Sequence, residues 1–504
     1  MVMYKTFTQL SSFISKLILG KSQFLVIISI VAIIIATLYP FDFFSVDNFS
    51  LQKIVASFDN SSFLKDIVNN ILLFIPLGFS STAFLRQIKI NPISKLFILI
   101  IISAGLSLSV EILQVFLPSR SPTPADIINN TIGGVVGIIC FYLWHSESFI
   151  HILAALKKST VKNYTAKITL LLFGYIFLSF LILIPWQSIT NLSNWDLNYP
   201  LLLGNETTGD RPWQGYISEV KIADKAVHKN DIFDSKNYLN AIGDSLIGSY
   251  QLTEGKSYLD SNGQLPEFLP QGQPSDIVDG KGVALSSSYW LTTETPTTLL
   301  SKRIRQTSQF TIITTVATAD TTQIGPARII SLSSNSLYRN FTIGQQDTNL
   351  NLRIRTPITG ENGTDINLSI PDVFANTKPH YIVITYAQAK IEAYIDSLQN
   401  HYTFNLLELM PKEQKIIFYA LTFIPLSVYL TLVSILANKR TKLYRFLLFN
   451  GVVLPAVILE TVLVNHLGKS ISITNILGGI LLTGSTVLVL RLRALKLVKK
   501  AVIK

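Results

Sequence analysis

The chain has 504 residues, of which 48% are hydrophobic and only 14% are charged. This composition excludes an ordinary soluble protein, because such proteins have about 25% charged residues. The formal net charge of +11 does not indicate a nucleic-acid partner, because the basic residues flank apolar segments, where they favour anionic lipid headgroups.

Eight apolar segments approach or reach the ~20 residues that a helix needs to cross a bilayer. They lie at residues 24–39, 67–85, 96–117, 127–144, 168–185, 416–437, 446–464 and 473–490. The sequence therefore predicts a polytopic α-helical membrane protein with about eight transmembrane helices. A cleaved signal peptide at residues 1–39 is disfavoured, because no small-x-small cleavage site follows the apolar run.

The basic residues predict the orientation of these helices, because Lys and Arg concentrate in short cytoplasmic loops. With the N-terminus in the cytoplasm, the internal segments contain 20 basic residues and the short external loops contain 4. We therefore expect both termini in the cytoplasm and residues 186–415 outside, where 18 basic and 23 acidic residues lie. The only cysteine, Cys140, is in the fourth predicted helix, so the external segment has no disulfide.

Polar side chains recur at helical spacing in the second, third and fourth predicted helices. These pairs are Asp66 and Asn70, Glu111 and Gln114, and Asp126 and Asn130. Residues three or four apart lie on one face of a helix, and the predicted topology brings all three pairs, with Arg120 of a loop, to the outer leaflet. Glu111 precedes Pro118 by seven residues, about 10 Å at 1.5 Å per residue. We predict a binding pocket here, with Glu111 as the candidate catalytic acid or base.

The alternative is structural, because Asn, Gln and Glu side chains also hydrogen-bond membrane helices to one another. In the same helices, Gly133-x-x-x-Gly137 is typical of a close-packing face. The sequence leaves both interpretations of the polar groups open.

This pattern resembles the VanZ-like family of bacterial membrane proteins. The matching residues are Asp66-x-x-x-Asn70-x-x-x-Phe74-x-Pro76-x-Gly78, Glu111-x-x-Gln114, Arg120, Asp126-x-x-x-Asn130-x-x-Gly133, and Tyr39-Pro40-Phe41, within residues 25–145. The family takes its name from an accessory protein of resistance to glycopeptide antibiotics, and no settled reaction comes with it. The resemblance implies a bacterial plasma-membrane protein linked to glycopeptide resistance or to the handling of surface polysaccharide.

A parallel repeat of four plus four helices is predicted by three matches between the two membrane halves. Phe74-Ile75-Pro76-Leu77 recurs as Phe423-Ile424-Pro425-Leu426, Glu111 and Glu460 each follow their Phe by 37 residues, and Asn130-x-x-Gly133-Gly134 recurs as Asn475-x-x-Gly478-Gly479. Lys415, Tyr419 and Leu463 replace Asp66, Asn70 and Gln114 by offset. We therefore expect the second copy to be scaffold, with a structural role for Glu460.

The predicted domains are residues 1–167 as the first four-helix unit, 168–187 as the fifth helix, 188–412 as the external domain, and 413–504 as the last three helices. Within the external domain, residues 310–317 and 381–386 are rich in Ile, Val, Thr and aromatic residues. Such segments between Gly, Asn, Asp and Pro turns predict an inserted all-β jelly-roll or sandwich.

The external domain resembles laminin-G-like jelly-rolls of the concanavalin-A-like class. The resemblance lies in Arg211-Pro-Trp213-Gln-Gly215-Tyr-Ile-Ser-Glu-Val-Lys-Ile222, Ala327-Arg328-Ile-Ile-Ser-Leu-Ser333, Arg339-Asn340-Phe341 and Tyr394-Ile395-Asp396. In that class the Trp-x-Gly strand usually comes near the end, so its early position here indicates a circular permutation. The resemblance implies glycan or protein binding.

Four arginines of this domain are candidates for binding carboxylates or sulfates through their paired N–H donors. They are Arg328, Arg339, Arg353 and Arg355. The alternative is that they pair with neighbouring acids. The 6 histidines have no metal-ligand spacing, and no metal or cofactor is expected.

Three functions are compatible with these observations. The leading hypothesis is a non-enzymatic envelope protein with a polar pocket at the outer leaflet and a β domain that binds cell-surface glycan or glycopeptide. The rival is an enzyme acting on a lipid-linked or polymeric substrate, with Glu111 as acid or base, Asp66 and Asp126 orienting, and Arg120 binding an anionic headgroup. A transporter is the third, favoured by parallel repeats and disfavoured by the degenerate second copy.

Overall fold

The computed structural model describes residues 22–43, 64–86, 88–117, 122–145, 164–181, 186, 188–231, 242–253, 258–273, 281–436 and 442–502. Its α-helices are α1 (Ser22–Leu38), α2 (Leu64–Leu85), α3 (Pro92–Gln114), α4 (Pro124–Trp144), α5 (Tyr164–Leu181), α6 (Thr298–Thr307), α7 (Leu406–Leu409), α8 (Lys412–Leu436), α9 (Lys442–Leu467) and α10 (Ile473–Val502). In these ranges, 6 helices are long and apolar enough to cross a membrane, namely α2, α3, α4, α8, α9 and α10. Helices α1 and α5 contain shorter apolar stretches. The prediction of a multi-pass helical membrane protein is confirmed.

The chain divides into two compact units. One contains Met1–Ile182, Ile416–Val457 and Thr474–Lys504, and the other contains Leu183–Lys415 and Ile458–Ile473. The first unit is helical, and the second contains all the β-strands.

Helices α2 and α4 pack at backbone contact because glycines of α4 lie against the backbone of α2. A Cβ atom on Gly133 would lie 2.3 Å from the carbonyl oxygen of Ile71, and one on Gly137 would lie 2.2 Å from that of Ile75. Both distances are impossible for a side chain, so only glycine allows this approach. Helices α1, α2 and α3 share an apolar core of Ile33, Leu38, Phe74, Leu77, Val110 and Leu117.

The later helices of the first unit are joined by aromatic and polar contacts. Tyr175 of α5 donates a hydrogen bond to the carbonyl oxygen of Gly451 at 2.5 Å, and its ring stacks on Tyr429 of α8 at 6.1 Å between centroids. The Arg493 guanidinium of α10 lies 5.6 Å from the centre of the Trp144 ring, at the C-terminal end of α4. These contacts tie α5 to α8 and α9, and α10 to α4.

The second unit contains two antiparallel seven-stranded sheets. The strands are β1 (Leu201–Leu203), β2 (Gly215–Ala223), β3 (Leu246–Gln251), β4 (Phe268–Gly272), β5 (Val283–Leu285), β6 (Tyr289–Thr293), β7 (Gln309–Thr318), β8 (Ala327–Ser333), β9 (Arg339–Gln346), β10 (Asn349–Ile354), β11 (Leu368–Ile370), β12 (His380–Ala387), β13 (Lys390–Ile395) and β14 (Ser397–Asn405). The first sheet has the order β11-β10-β9-β8-β1-β6-β4. The second has the order β14-β13-β12-β7-β2-β3, with β5 also paired to β2.

Aromatic side chains join the two sheets. Phe310 of the second sheet lies 6.1 Å from Phe341 of the first, measured between ring centroids, and Trp195 lies within 5.9 Å of both rings. The Trp195 Nε1–H donates to the Arg355 carbonyl oxygen at 3.0 Å, so the buried indole has its hydrogen bond. The predicted β-sandwich is therefore present, while the laminin-G-like class and the circular permutation stay predictions.

Candidate functional site

The start of α4 positions the buried glutamate of the site. Thr123 caps this helix, since its side-chain oxygen accepts the Asp126 N–H at 3.1 Å. The Thr123 N–H in turn donates to Glu111 Oε2 at 2.9 Å. Glu111 is only 2% exposed, and its carboxylate lies against a helix N-terminus, where unpaired N–H groups favour negative charge.

Two further carboxylates lie at the same end of the bundle. Asn70 of α2 hydrogen-bonds the half-buried Asp126 carboxylate of α4, and Asp66 is close enough to repel it. Asp126 also interacts electrostatically with Glu111. The structure thus brings Asp66, Asn70, Glu111 and Asp126 into one group drawn from three helices.

The other predicted members of the site have separate partners or fall outside the described ranges. Gln114 donates to the Thr37 carbonyl oxygen at 3.0 Å and so connects α3 to α1. Asn130 Nδ2 donates to Ser107 Oγ at 2.9 Å and connects α4 to α3. These two bonds fit the structural role. Arg120 lies outside the described residues.

The group of Asp66, Asn70, Glu111 and Asp126 is rich in hydrogen-bond acceptors and in carboxyl groups. The oxygen Oδ1 of Asn130, a residue only 1% exposed, has no hydrogen-bond partner among the described residues. Carboxylates and amide oxygens accept hydrogen bonds from hydroxyl and ammonium groups. In the described ranges, no three His, Cys, Asp or Glu side chains are placed to hold a metal ion.

A second buried glutamate has an arrangement that the sequence did not predict. Glu460 of α9 forms an ion pair with Lys469, and both side chains are at most 3% exposed. The Ser472 N–H, one residue before α10, donates to Glu460 Oε1 at 2.7 Å. The sequence predicted a structural role for Glu460 but did not identify these partners. The signal was available, since a basic residue follows Glu460 by nine residues, as Arg120 follows Glu111.

The four arginines of the β domain fall into two groups. Arg328 Nε pairs with Glu206 Oε1 at 2.8 Å, and Arg339 and Arg353 are close enough to interact with Arg328 electrostatically. Arg355 instead lies 3.5 Å from the Tyr199 hydroxyl, measured from Nη1. The alternative that these arginines pair with acids therefore holds for Arg328. The sequence does not identify Glu206 as the partner of Arg328, because Glu206 lies more than a hundred residues earlier in the chain.

Comparison with known protein families finds a match for the N-terminal helices. The sequence model of the VanZ/LLP1 family matches residues 1–145. This part of the chain is therefore similar to that family, and we call it the VanZ-like unit. The VanZ-like unit contains α1 to α4 and all four grouped polar residues described above. Searches of curated proteins and of solved structures found no match to the chain.

Proposed function

We propose that the chain is a cell-envelope membrane protein whose VanZ-like unit binds a polar group of an envelope ligand at the outer leaflet. The observation that supports this most is the grouping of Asp66, Asn70, Glu111 and Asp126 from three helices. Ionisable groups inside membrane helices are costly and mark ligand or proton sites by default. The VanZ-like match supports a link to glycopeptide resistance or to surface polysaccharide.

The proposed orientation puts this group at the outer leaflet. It rests on the 20 basic residues in the predicted cytoplasmic segments against 4 in the short external loops. In the same orientation the β-sandwich lies outside the cytoplasm. We assign it recognition of a cell-surface glycan or protein, on the basis of its likeness in sequence to laminin-G-like domains.

We also propose that the second membrane half is a degenerate duplicate of the first. In both halves a buried glutamate accepts the backbone N–H of the residue twelve positions later, directly before the next helix. Phe74 and Phe423, which match in sequence, are both fully buried. Superposition of α8–α10 on α2–α4 tests this, because helix order and direction should coincide. Helices that do not overlay would contradict the duplication.

A second candidate function is an enzyme in which Glu111 transfers a proton. The observation that favours it is the burial of this carboxylate beside Asp126, where the backbone N–H of Thr123 donates a hydrogen bond to it. Here Asp66 and Asp126 would orient a lipid-linked or polymeric substrate. General acid–base catalysis contributes about 10²–10⁴-fold to a rate, so its loss is measurable.

The first prediction concerns Glu111→Gln, which keeps an oxygen able to accept the Thr123 N–H but removes the charge and the titratable proton. Under the proposed function, cells that produce the variant should have the glycopeptide susceptibility of cells without the protein, not that of cells with wild type. The thermal unfolding midpoint of the purified variant in detergent should stay nearly unchanged. Asn70→Leu is the contrast, since it removes a hydrogen bond and costs about 1 kcal/mol of stability in either case. Full phenotype in Glu111→Gln would contradict a role for the carboxylate and leave the structural one.

Native mass spectrometry of the same variant separates binding from catalysis. If Glu111 only binds, the Glu111→Gln protein loses its co-purifying envelope ligand together with the phenotype. If Glu111 transfers a proton, the variant retains the unreacted ligand while the phenotype is lost.

A further inference from the structure

The first sheet has a polar face opposite the aromatic core of the sandwich. Successive side chains of a strand alternate between the two faces, so Phe341 and Leu332 face the core, and their neighbours face away. On that second face, Ser331 of β8 pairs with Thr342 of β9, and Thr342 pairs with Arg353 of β10. Ser333 pairs with Arg339 in the next row, where the register shifts past Asn340. This bulge puts Arg339 on the second face although it is two residues from Phe341. Despite facing away from the core, these serines and Arg339 are fully buried.

Glu206 is the buried carboxylate of this face, and Arg328 also interacts electrostatically with the exposed Asp210. Glu206 accepts from Arg328 Nε at 2.8 Å, from Ser331 Oγ at 3.2 Å, and from Ser333 Oγ. The arginine cluster, defined as Arg328, Arg339 and Arg353, therefore places three positive charges against the one buried negative charge of Glu206. Arg211 and Asp210, which also interact with the cluster, add one charge of each sign, so the excess of positive charge stays the same.

Several guanidinium donors of the cluster have no acceptor. Arg339 donates through Nη2 to the Ser336 carbonyl oxygen, but its Nε and Nη1 have no partner among the described residues. Arg328 Nη1 is likewise without a partner there. Their side chains are at most 1% exposed. Native proteins rarely leave buried donors unsatisfied, because each costs about 1–3 kcal/mol and more when charged.

The electrostatics of the cluster agree with a missing negative charge. Burial, followed by repulsion from Arg328 and Arg353, lowers the pKa of Arg339 to about 9. Burial, followed by repulsion from Arg328, lowers the pKa of Arg353 to about 10. Both shifts mean that the fold holds these cations at a cost in free energy, which an anion beside them would relieve.

We propose that the arginine cluster binds an oxyanion, a carboxylate, sulfate or phosphate group, carried by the envelope ligand. Two guanidinium forks with free N–H donors match the paired oxygens of such groups. Arg353 and Arg211, which both interact electrostatically with Arg339, are only half-buried, so we infer that the group enters on their side. This inference rests on the proposed recognition role of the β-sandwich and names the chemistry of its ligand.

Binding of simple anions to the full chain in detergent tests the site. The probes are inorganic phosphate, sulfate and an oligogalacturonate, with sodium chloride at matched ionic strength as the baseline. Wild type should show a saturable rise in its thermal unfolding midpoint with at least one probe. Arg339→Gln and the more exposed Arg353→Gln should weaken the apparent affinity by ~10-fold or more. Arg305→Gln on α6 removes the same charge from the same domain and should leave it unchanged.

Two results would overturn the proposal. The first is the absence of any saturable effect beyond chloride in wild type, and the second is an equal loss of affinity in Arg305→Gln and Arg339→Gln. Stabilisation by oligogalacturonate identifies a polymer-borne carboxylate, and stabilisation by phosphate or sulfate alone identifies a tetrahedral anion. Anion binding is measured on purified protein, whereas the effect of Glu111→Gln is measured in cells. A failure of the arginine-cluster proposal is therefore distinguishable from a failure of the proposed function.

Discussion

Lys469 and Glu460 form an ion pair whose side chains are at most 3% exposed, and replacing each partner alone gives a testable prediction. Lys469→Met leaves the Glu460 carboxylate with the Ser472 N–H but without its ion-pair partner, so that only the weaker electrostatic attraction of Lys415 remains. Removing one partner of a buried pair costs about 3–5 kcal/mol, because the other charge stays desolvated. Unfolding in detergent should show this loss, and the double variant Glu460→Gln with Lys469→Met should recover most of it. A single variant as stable as wild type would contradict the role of the pair.

For individual residues, the sequence predicted which helix face a polar side chain lies on but not which atom it contacts. The four-residue spacings of Asp66 with Asn70 and of Asp126 with Asn130 predicted a shared face on each helix. In the structure Asp66, Asn70 and Asp126 interact across α2 and α4, whereas Asn130 bonds Ser107 of α3. The partner of Glu111 is a backbone N–H at Thr123. A backbone donor is present at almost every residue, so the sequence does not distinguish this one. Only the chain path after α3 places it beside the carboxylate.

Helices α2 and α4 meet through glycines, and this close packing is testable with a matched pair of variants. Gly133→Ala puts a Cβ atom where Ile71 O lies 2.3 Å away, whereas a Cβ atom on Gly105 of α3 meets nothing within 4 Å. We expect Gly133→Ala to force the helices apart at a cost of about 1–3 kcal/mol. Gly105→Ala should be neutral or stabilising by up to about 1 kcal/mol, because alanine favours helix. Thermal unfolding midpoints in detergent compare the two, and equal midpoints would refute the packing.

The spacing Gly133-x-x-x-Gly137 was sufficient to predict a close-packing face, but it did not identify Ile71 and Ile75 of α2 as the neighbours.

The burial of strand β8 was likewise not predictable from its local sequence. All seven residues of β8 are buried, so the alternation that marks a half-exposed strand is missing. Its outward face is buried beside Glu206, which belongs to a loop far away in sequence. Burial of this kind depends on tertiary structure and is not visible in the local pattern.

At the scale of the whole molecule, composition and apolar length were enough to predict a helical membrane protein with an inserted β domain. Hydrocarbon thickness sets the length of a spanning helix, so this part of the fold is readable from sequence. The order of strands in the sheets was not predicted. Strand β1 lies between β8 and β6, and such pairing between distant segments has no short-range signal.

The proposed orientation puts the polar residues of the VanZ-like unit and the β-sandwich on the outer side of the membrane. Labelling of single cysteines tests it directly, because Cys140 is the only cysteine and Cys140→Ala gives a cysteine-free background. In that background, Lys378→Cys places a thiol at an exposed position of the sandwich, and Lys504→Cys places one at the C-terminus. A membrane-impermeant maleimide added to intact cells should label Lys378→Cys and should label Lys504→Cys only after permeabilisation. The reverse pattern would contradict the orientation and, with it, the outer-leaflet pocket.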